Sequence, residues 1–141
     1  MKKYLLFIMV AVLFSYGCGK DAVRPSEDSQ LATGALDRIE VIRSAYLIKD
    51  TGILQQQLDA KLAEDILKNI SFNTAELSFT PRMVRITDEA IIVSLGWQGA
   101  WQLEKDKKLE NRGVANLVLH RESMKLMQLE GDNPFLVPLE K

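Results

Sequence analysis

The spacing of apolar side chains changes character three times along the chain. An unbroken apolar run from Tyr4 to Phe14 follows Met1-Lys2-Lys3 and closes on Ser15-Tyr16-Gly17-Cys18. Residues 19–30 are then largely polar, with Lys20, Asp21, Arg24, Glu27 and Asp28, and carry no periodic apolar face. Such a stretch predicts a flexible tether, and twelve residues of coil reach about 20 Å root-mean-square. Between Leu36 and Ile48 the residues Leu36, Ile39, Ile42, Ala45 and Tyr46 recur at spacings of three and four, which predicts an amphipathic helix. Asp50-Thr51-Gly52 interrupts it and offers cap chemistry for a restart. Leu54, Leu58, Leu62, Ile66 and Ile70 follow at intervals of four. That spacing drifts around a helix of 3.6 residues per turn, so either the apolar stripe is broad or the helix breaks near Asp59, which can cap a second segment. Fewer than three clean heptads are present, which argues against a coiled coil.

Past Asn73 the period falls to two. Leu77 and Phe79 alternate with Ser78 and Thr80, Pro81 interrupts, and Met83-Val84-Arg85-Ile86 resumes the extended pattern; a proline there marks an edge strand or a bulge. Ile91, Val93, Leu95, Trp97, Trp101 and Leu103 share one parity, and Ser94, Gln98 and Gln102 share the other. That alternation predicts a strand with one buried and one wet face, and Gly96 and Gly99 within it allow a bend. The charged segment 104–111 reads as a solvated hairpin tip, because Glu104, Asp106 and Glu110 are interleaved with its lysines. Gly113 to Leu119 and Met124 to Leu129 supply two more strands, joined tightly by Arg121-Glu122-Ser123; Gly131-Asp132-Asn133-Pro134 ends the sheet, and Phe135 folds back to plug one end. Short successive connections favour antiparallel neighbours. The expected class is therefore α+β, with N-terminal helices packed on a curved antiparallel four-stranded sheet.

Composition changes this picture mainly at the N-terminus. The chain has 141 residues, 47% hydrophobic and 26% charged, enough for one globular domain. Its 18 Lys and Arg face 19 Asp and Glu, a net of −1, and Lys2 and Lys3 lie in the leader, so the remainder stands at −3. That balance argues against a nucleic-acid partner. A charged start, a short apolar stretch and small residues near a cut site make an export signal, and the apolar stretch falls short of the roughly 17 residues a spanning helix needs. The single cysteine, Cys18, has no disulfide partner. Ser15-Tyr16-Gly17-Cys18 resembles a bacterial lipoprotein processing site, in which the leader is cut before a cysteine that carries diacylglycerol; Ser15 stands where leucine is commoner, and Tyr16 is bulky for the position. The resemblance implies a signal peptide over residues 1–17, a lipidated Cys18 with its tether over 18–30, and a membrane partner reached through that lipid. Gly19 stands where an aspartate favours inner-membrane retention in lipoproteins, so outer-membrane placement in the cell envelope is expected if the envelope is diderm. Ordinary cleavage, a retained anchor and a chance cysteine are the alternatives.

The domain over 31–135, followed by a tail over 136–141, resembles the nuclear transport factor 2-like superfamily, with its ketosteroid isomerase and polyketide cyclase relatives. Two stretches carry the likeness: Ala45-Tyr46-Leu47-Ile48-Lys49-Asp50, and the final hairpin from Arg112 to Glu122 leading into Met124-Lys125-Leu126 and Gly131-Asp132-Asn133-Pro134-Phe135. Met124 stands where many relatives place tryptophan. The resemblance implies a cone-like fold with a pocket between sheet and helices, but no residue matches the acid and tyrosine set of the isomerases. His120 is the only histidine, which excludes a histidine metal cluster, and its place at a strand end reads as surface. No phosphate loop, nucleophile elbow or cofactor motif occurs. Trp97 and Trp101 share a sheet face that Tyr46 could join, either as ordinary core or as the aromatic wall of a ligand pocket. The expectation is a lipid-anchored, non-catalytic module that binds a small apolar ligand or an unknown protein; the alternative is a small-molecule enzyme with an unidentified acid or base in the cone.

Overall fold

The computed structural model describes residues 23–139. Three helices, α1 (Glu27–Ile48), α2 (Thr51–Gln57) and α3 (Ala60–Lys68), precede four strands, β1 (Thr74–Ile86), β2 (Ala90–Glu104), β3 (Lys107–His120) and β4 (Leu126–Gly131). The strands form one antiparallel meander in the order β1-β2-β3-β4, and the helices pack against one face of it. The α+β class with N-terminal helices on a curved four-stranded sheet is therefore what the chain adopts.

Local chemistry sets each helix boundary. Ser26 caps α1, its hydroxyl accepting from the Ser29 amide at 3.2 Å, with Glu27 and Asp28 in the first turn where the helix dipole favours negative charge. The helix thus begins within the span 18–30 expected to be tether, because a polar first turn needs no apolar face once it is capped. At the other end Lys49 adopts a left-handed conformation, φ 59°, and its amide returns to the Ala45 and Tyr46 carbonyls. Asp50 then accepts from the Ile53 amide at 3.0 Å and starts α2. The four-residue leucine spacing resolves into a break: Leu58 leaves the helix with ψ 154°, and Asp59 caps α3.

Both edges of the sheet are hooked to the helical layer. Arg43, paired with Glu40, donates to the Leu77 carbonyl at 2.8 Å on the β1 edge. The Asp59 amide donates to the Leu126 carbonyl at 2.8 Å on the β4 edge, where Leu58 and Leu126 form an isolated parallel bridge. Pro81 lies at a register shift, and Arg82 is the extra residue between Pro81 and Met83. After that bulge the alternation restarts, so Val84 and Ile86 again turn toward the core. The charged segment is less a tip than expected: only Lys105 and Asp106 make the turn, and Lys107 to Glu110 already pair with β2. Its alternating charges leave the backbone free to pair, and the outward side chains remain in water.

The core lies between helices and sheet. Ala35, Ile39, Ile42, Ala45 and Tyr46 of α1, Leu54 and Leu58, and Ala63 and Ile66 of α3 meet Ile91, Val93, Leu95, Trp97 and Trp101 of β2 and Ala115, Leu117 and Leu119 of β3. Phe135 returns from beyond β4 and is fully buried, edge-on to Tyr46 and Phe79 with ring centres 5.3 and 5.9 Å away. Among the described residues no helix is long and apolar enough to cross a membrane.

Candidate functional site

The structure brings Tyr46, Trp97 and Trp101 together. Trp101 Nε1 donates to Tyr46 Oη at 2.9 Å, linking residues 55 positions apart, and the two indoles meet edge to face with centres 6.3 Å apart. Trp97 Nε1 donates to the Asp132 carbonyl at 2.8 Å. Phe72 covers the Tyr46 ring at 5.1 Å, and Lys49 Nζ lies 5.1 Å from the Phe72 centroid. Tyr46, Trp101 and Phe135 have 0% exposure, so no water-sized space borders them, inside the fold or outside. This side of the sheet is a filled aromatic core with its polar atoms paired. Burial pushes the Tyr46 phenol up to about 12, against a smaller downward pull from the Trp101 hydrogen bond. A phenol held neutral and out of contact with solvent is a packing element with one internal hydrogen bond.

His120 is half-buried at the end of β3, and its Nδ1 accepts from the Glu122 and Ser123 amides, each at 3.3 Å. It closes the turn into β4. Among the described residues no three His, Cys, Asp or Glu side chains gather where they could hold a metal ion. Cys18 lies outside the described residues.

No element among the described residues covers the opposite face of the sheet, which carries two clefts. The larger, about 720 Å³, is lined by Glu76 and Ser78 of β1, Gln98 and Ala100 of β2, and Glu110 and Arg112 of β3, among others. Its side chains align by register: Ser78 sits opposite Gln98 and Gln98 opposite Arg112, while Glu76, Ala100 and Glu110 form the next row. Lys108, at its rim, pairs with Glu110 at 3.0 Å, which raises the lysine pKa. The second cleft, about 460 Å³, shares Gln98 and Arg112 with the first and adds Thr80, Arg82, Gly96 and Val114. The two form a single polar groove along the outer side of β2, with small residues Gly96 and Ala100 as its floor and longer side chains of β1 and β3 as its walls.

Alternation along β2 reveals that Ser94, Gln98 and Gln102 face water, but the rows across three strands depend on the register, and the register depends on the Arg82 bulge. The residues lining this groove were therefore not identifiable from spacing within any one strand. No known protein family, no curated protein and no solved structure matches this chain.

Proposed function

We propose that this protein is a lipid-anchored component of the cell envelope, held to the membrane through Cys18, whose α+β domain is a non-catalytic binding module that meets its ligand or partner on the uncovered face of the sheet. The observation that carries the binding-module reading is the contrast between the two faces. The inner face is sealed at Tyr46, Trp101 and Phe135, all at 0% exposure, whereas the outer face offers a contiguous polar groove. A solute can reach the second without unfolding the first. The likeness of Ser15-Tyr16-Gly17-Cys18 to a lipoprotein processing site supports the anchor, as does a lone cysteine behind an export-type leader.

Metabolic labelling with a radioactive or alkynyl fatty acid tests the anchor. The wild-type chain is expected to take up label and fractionate with membranes, and Cys18→Ser to lose both label and membrane attachment. Label retained by the serine variant would overturn the anchor.

A further inference from the structure

We propose that the cleft between Arg82 and Arg112 on the outer sheet face is a binding site for an oxyanion, the carboxylate or phosphate group of a small ligand. The proposal rests on the outer face being the binding face and specifies what that face takes.

The bulge creates the site. Because Arg82 is the extra residue between Pro81 and Met83, it escapes the strand alternation and reaches sideways across β2. Its guanidinium lies over Gly96: a Cβ built there would stand 3.1 Å from Arg82 Nη2 and 3.4 Å from Nε. The missing side chain is what lets the planar group settle against the β2 backbone. Arg112 approaches from β3. It sits opposite Gln98, two residues along β2 from Gly96, an offset of roughly 6.6 Å along the strand and one strand spacing, about 4.8 Å, across it. Arg82 and Arg112 both line the same cleft of about 460 Å³.

Neither guanidinium has a hydrogen bond or ion pair among the described residues. Arg38, Arg43 and Arg121 engage Gln57, Glu40 and Glu27 respectively, whereas Arg24 and Arg85 are likewise without a partner among the described residues. No carboxylate lines the Arg82–Arg112 cleft. Of the nearby acids, Glu110 faces the larger cleft and pairs with Lys108, the Asp132 carboxylate accepts from the Val114 amide at 3.1 Å, and Glu76 lines the larger cleft one row beyond Ser78. Two arginines without a partner among the described residues thus line one recess of a chain with a net negative charge. Guanidinium presents paired N–H donors that match carboxylate and phosphate geometry two bonds at a time. Thr80 and Gln98 line the same recess and supply neutral donors for the remaining oxygens. Because the site is open to solvent, its affinity should fall as salt rises.

The test is titration of the full-length protein in non-ionic detergent with inorganic phosphate and, separately, with succinate, at constant ionic strength set by sodium chloride. Backbone amide and arginine Nε–H resonances are followed by NMR. Saturable shifts are expected at Gly96, Gln98, Arg112 and Val114, and the tighter of the two anions identifies the preferred oxyanion. Arg82→Gln and Arg112→Gln should each weaken binding about tenfold, about 1.4 kcal/mol, as loss of a charge-assisted hydrogen bond in an open site would. Arg85→Gln, further along the same strand, should leave it unchanged. The site is refuted if neither anion gives saturable shifts, if the two glutamine variants bind as wild type, or if the shifts gather only around Glu76 and Lys108. The last result would still leave the outer face as a binding face, and the envelope reading keeps its separate test in Cys18→Ser.

Discussion

Among the described residues, Tyr46 and Trp101 form the one buried polar contact between the helical layer and the sheet's central strands for which both partners are fully enclosed. Leaving one half of such a pair costs the desolvation of the other, about 1–3 kcal/mol. Tyr46→Phe and Trp101→Phe are each expected to lower unfolding free energy by that amount in urea, beyond whatever Trp101→Phe loses in ring volume. The double variant should cost less than the two singles combined, because no orphaned polar atom remains; strict additivity would refute the coupling. The pH dependence follows from the same burial. The Tyr46 phenol sits at about 12 when folded and near 10 when unfolded, so the unfolded chain releases this proton first. Its contribution is intact below pH 10 and is lost as pH rises from 10 to 12. Of the three tyrosines, Tyr4 and Tyr16 precede Cys18, so phenolate absorbance of a chain made to begin at Cys18 reads Tyr46 alone. A transition near pH 10 in the folded protein would contradict the buried assignment.

At the level of elements, caps and glycines decide where the chain turns. Asp50→Ala removes the acceptor of the Ile53 amide and is expected to cost about 1 kcal/mol. Asp59→Ala should cost less, since its contact to Lys61 is 3.3 Å and exposed. Gly99 is more demanding: a Cβ there would overlap the Trp101 ring, whose neighbours are already close-packed. Gly99→Ala should therefore destabilise by about 1–3 kcal/mol through overpacking, read as a lower urea midpoint with unchanged slope; a neutral result would mean that the Trp101 ring moves freely. These elements also mark how far the residues alone disclose the fold. The strand alternation of β2, the proline break in β1 and the caps at Asp50 and Asp59 are local signals, written within a few residues of where they act. The early start of α1 was not legible, because Ser26 caps a turn without apolar periodicity. The Arg82–Arg112 cleft was not legible either, since it exists only after a bulge shifts one strand against another. Tyr46, Trp97 and Trp101 were legible as a cluster and Phe135 as a plug at one end, but whether their space was open or filled also depended on Phe72, arriving from the loop between α3 and β1.

Across the whole molecule, the way the tether joins the domain determines which surfaces face away from an anchor. Arg121, at the turn into β4, reaches both Glu27 in the first turn of α1, at 3.1 Å, and the Thr87 carbonyl of the β1–β2 turn, at 2.9 Å. The Arg121 amide also donates to the Glu89 carbonyl at 3.0 Å. One side chain therefore gathers the start of α1 and two sheet turns at the same end. The β2–β3 turn at Lys105-Asp106 lies at the other end of β2, whose fifteen residues would extend for roughly 50 Å if straight. With Cys18 lipidated, the turns around Arg121 would face the membrane, and Gln98 and Arg112, near the middle of the hairpin, would stand roughly 25 Å along the strands from that end. Arg121→Gln tests the pin on which this orientation depends. The Arg121–Glu27 pair is exposed and worth under about 1 kcal/mol, so global stability should scarcely change. Hydrogen exchange in the first turn of α1 should nevertheless accelerate, because that turn makes few core contacts and is held chiefly by the Ser26 cap and this bridge. High salt should produce the same local effect in the wild type by screening the Arg121–Glu27 pair. Unchanged exchange in both experiments would mean that the helix start is held by its cap alone and that the tether leaves the domain without a fixed direction.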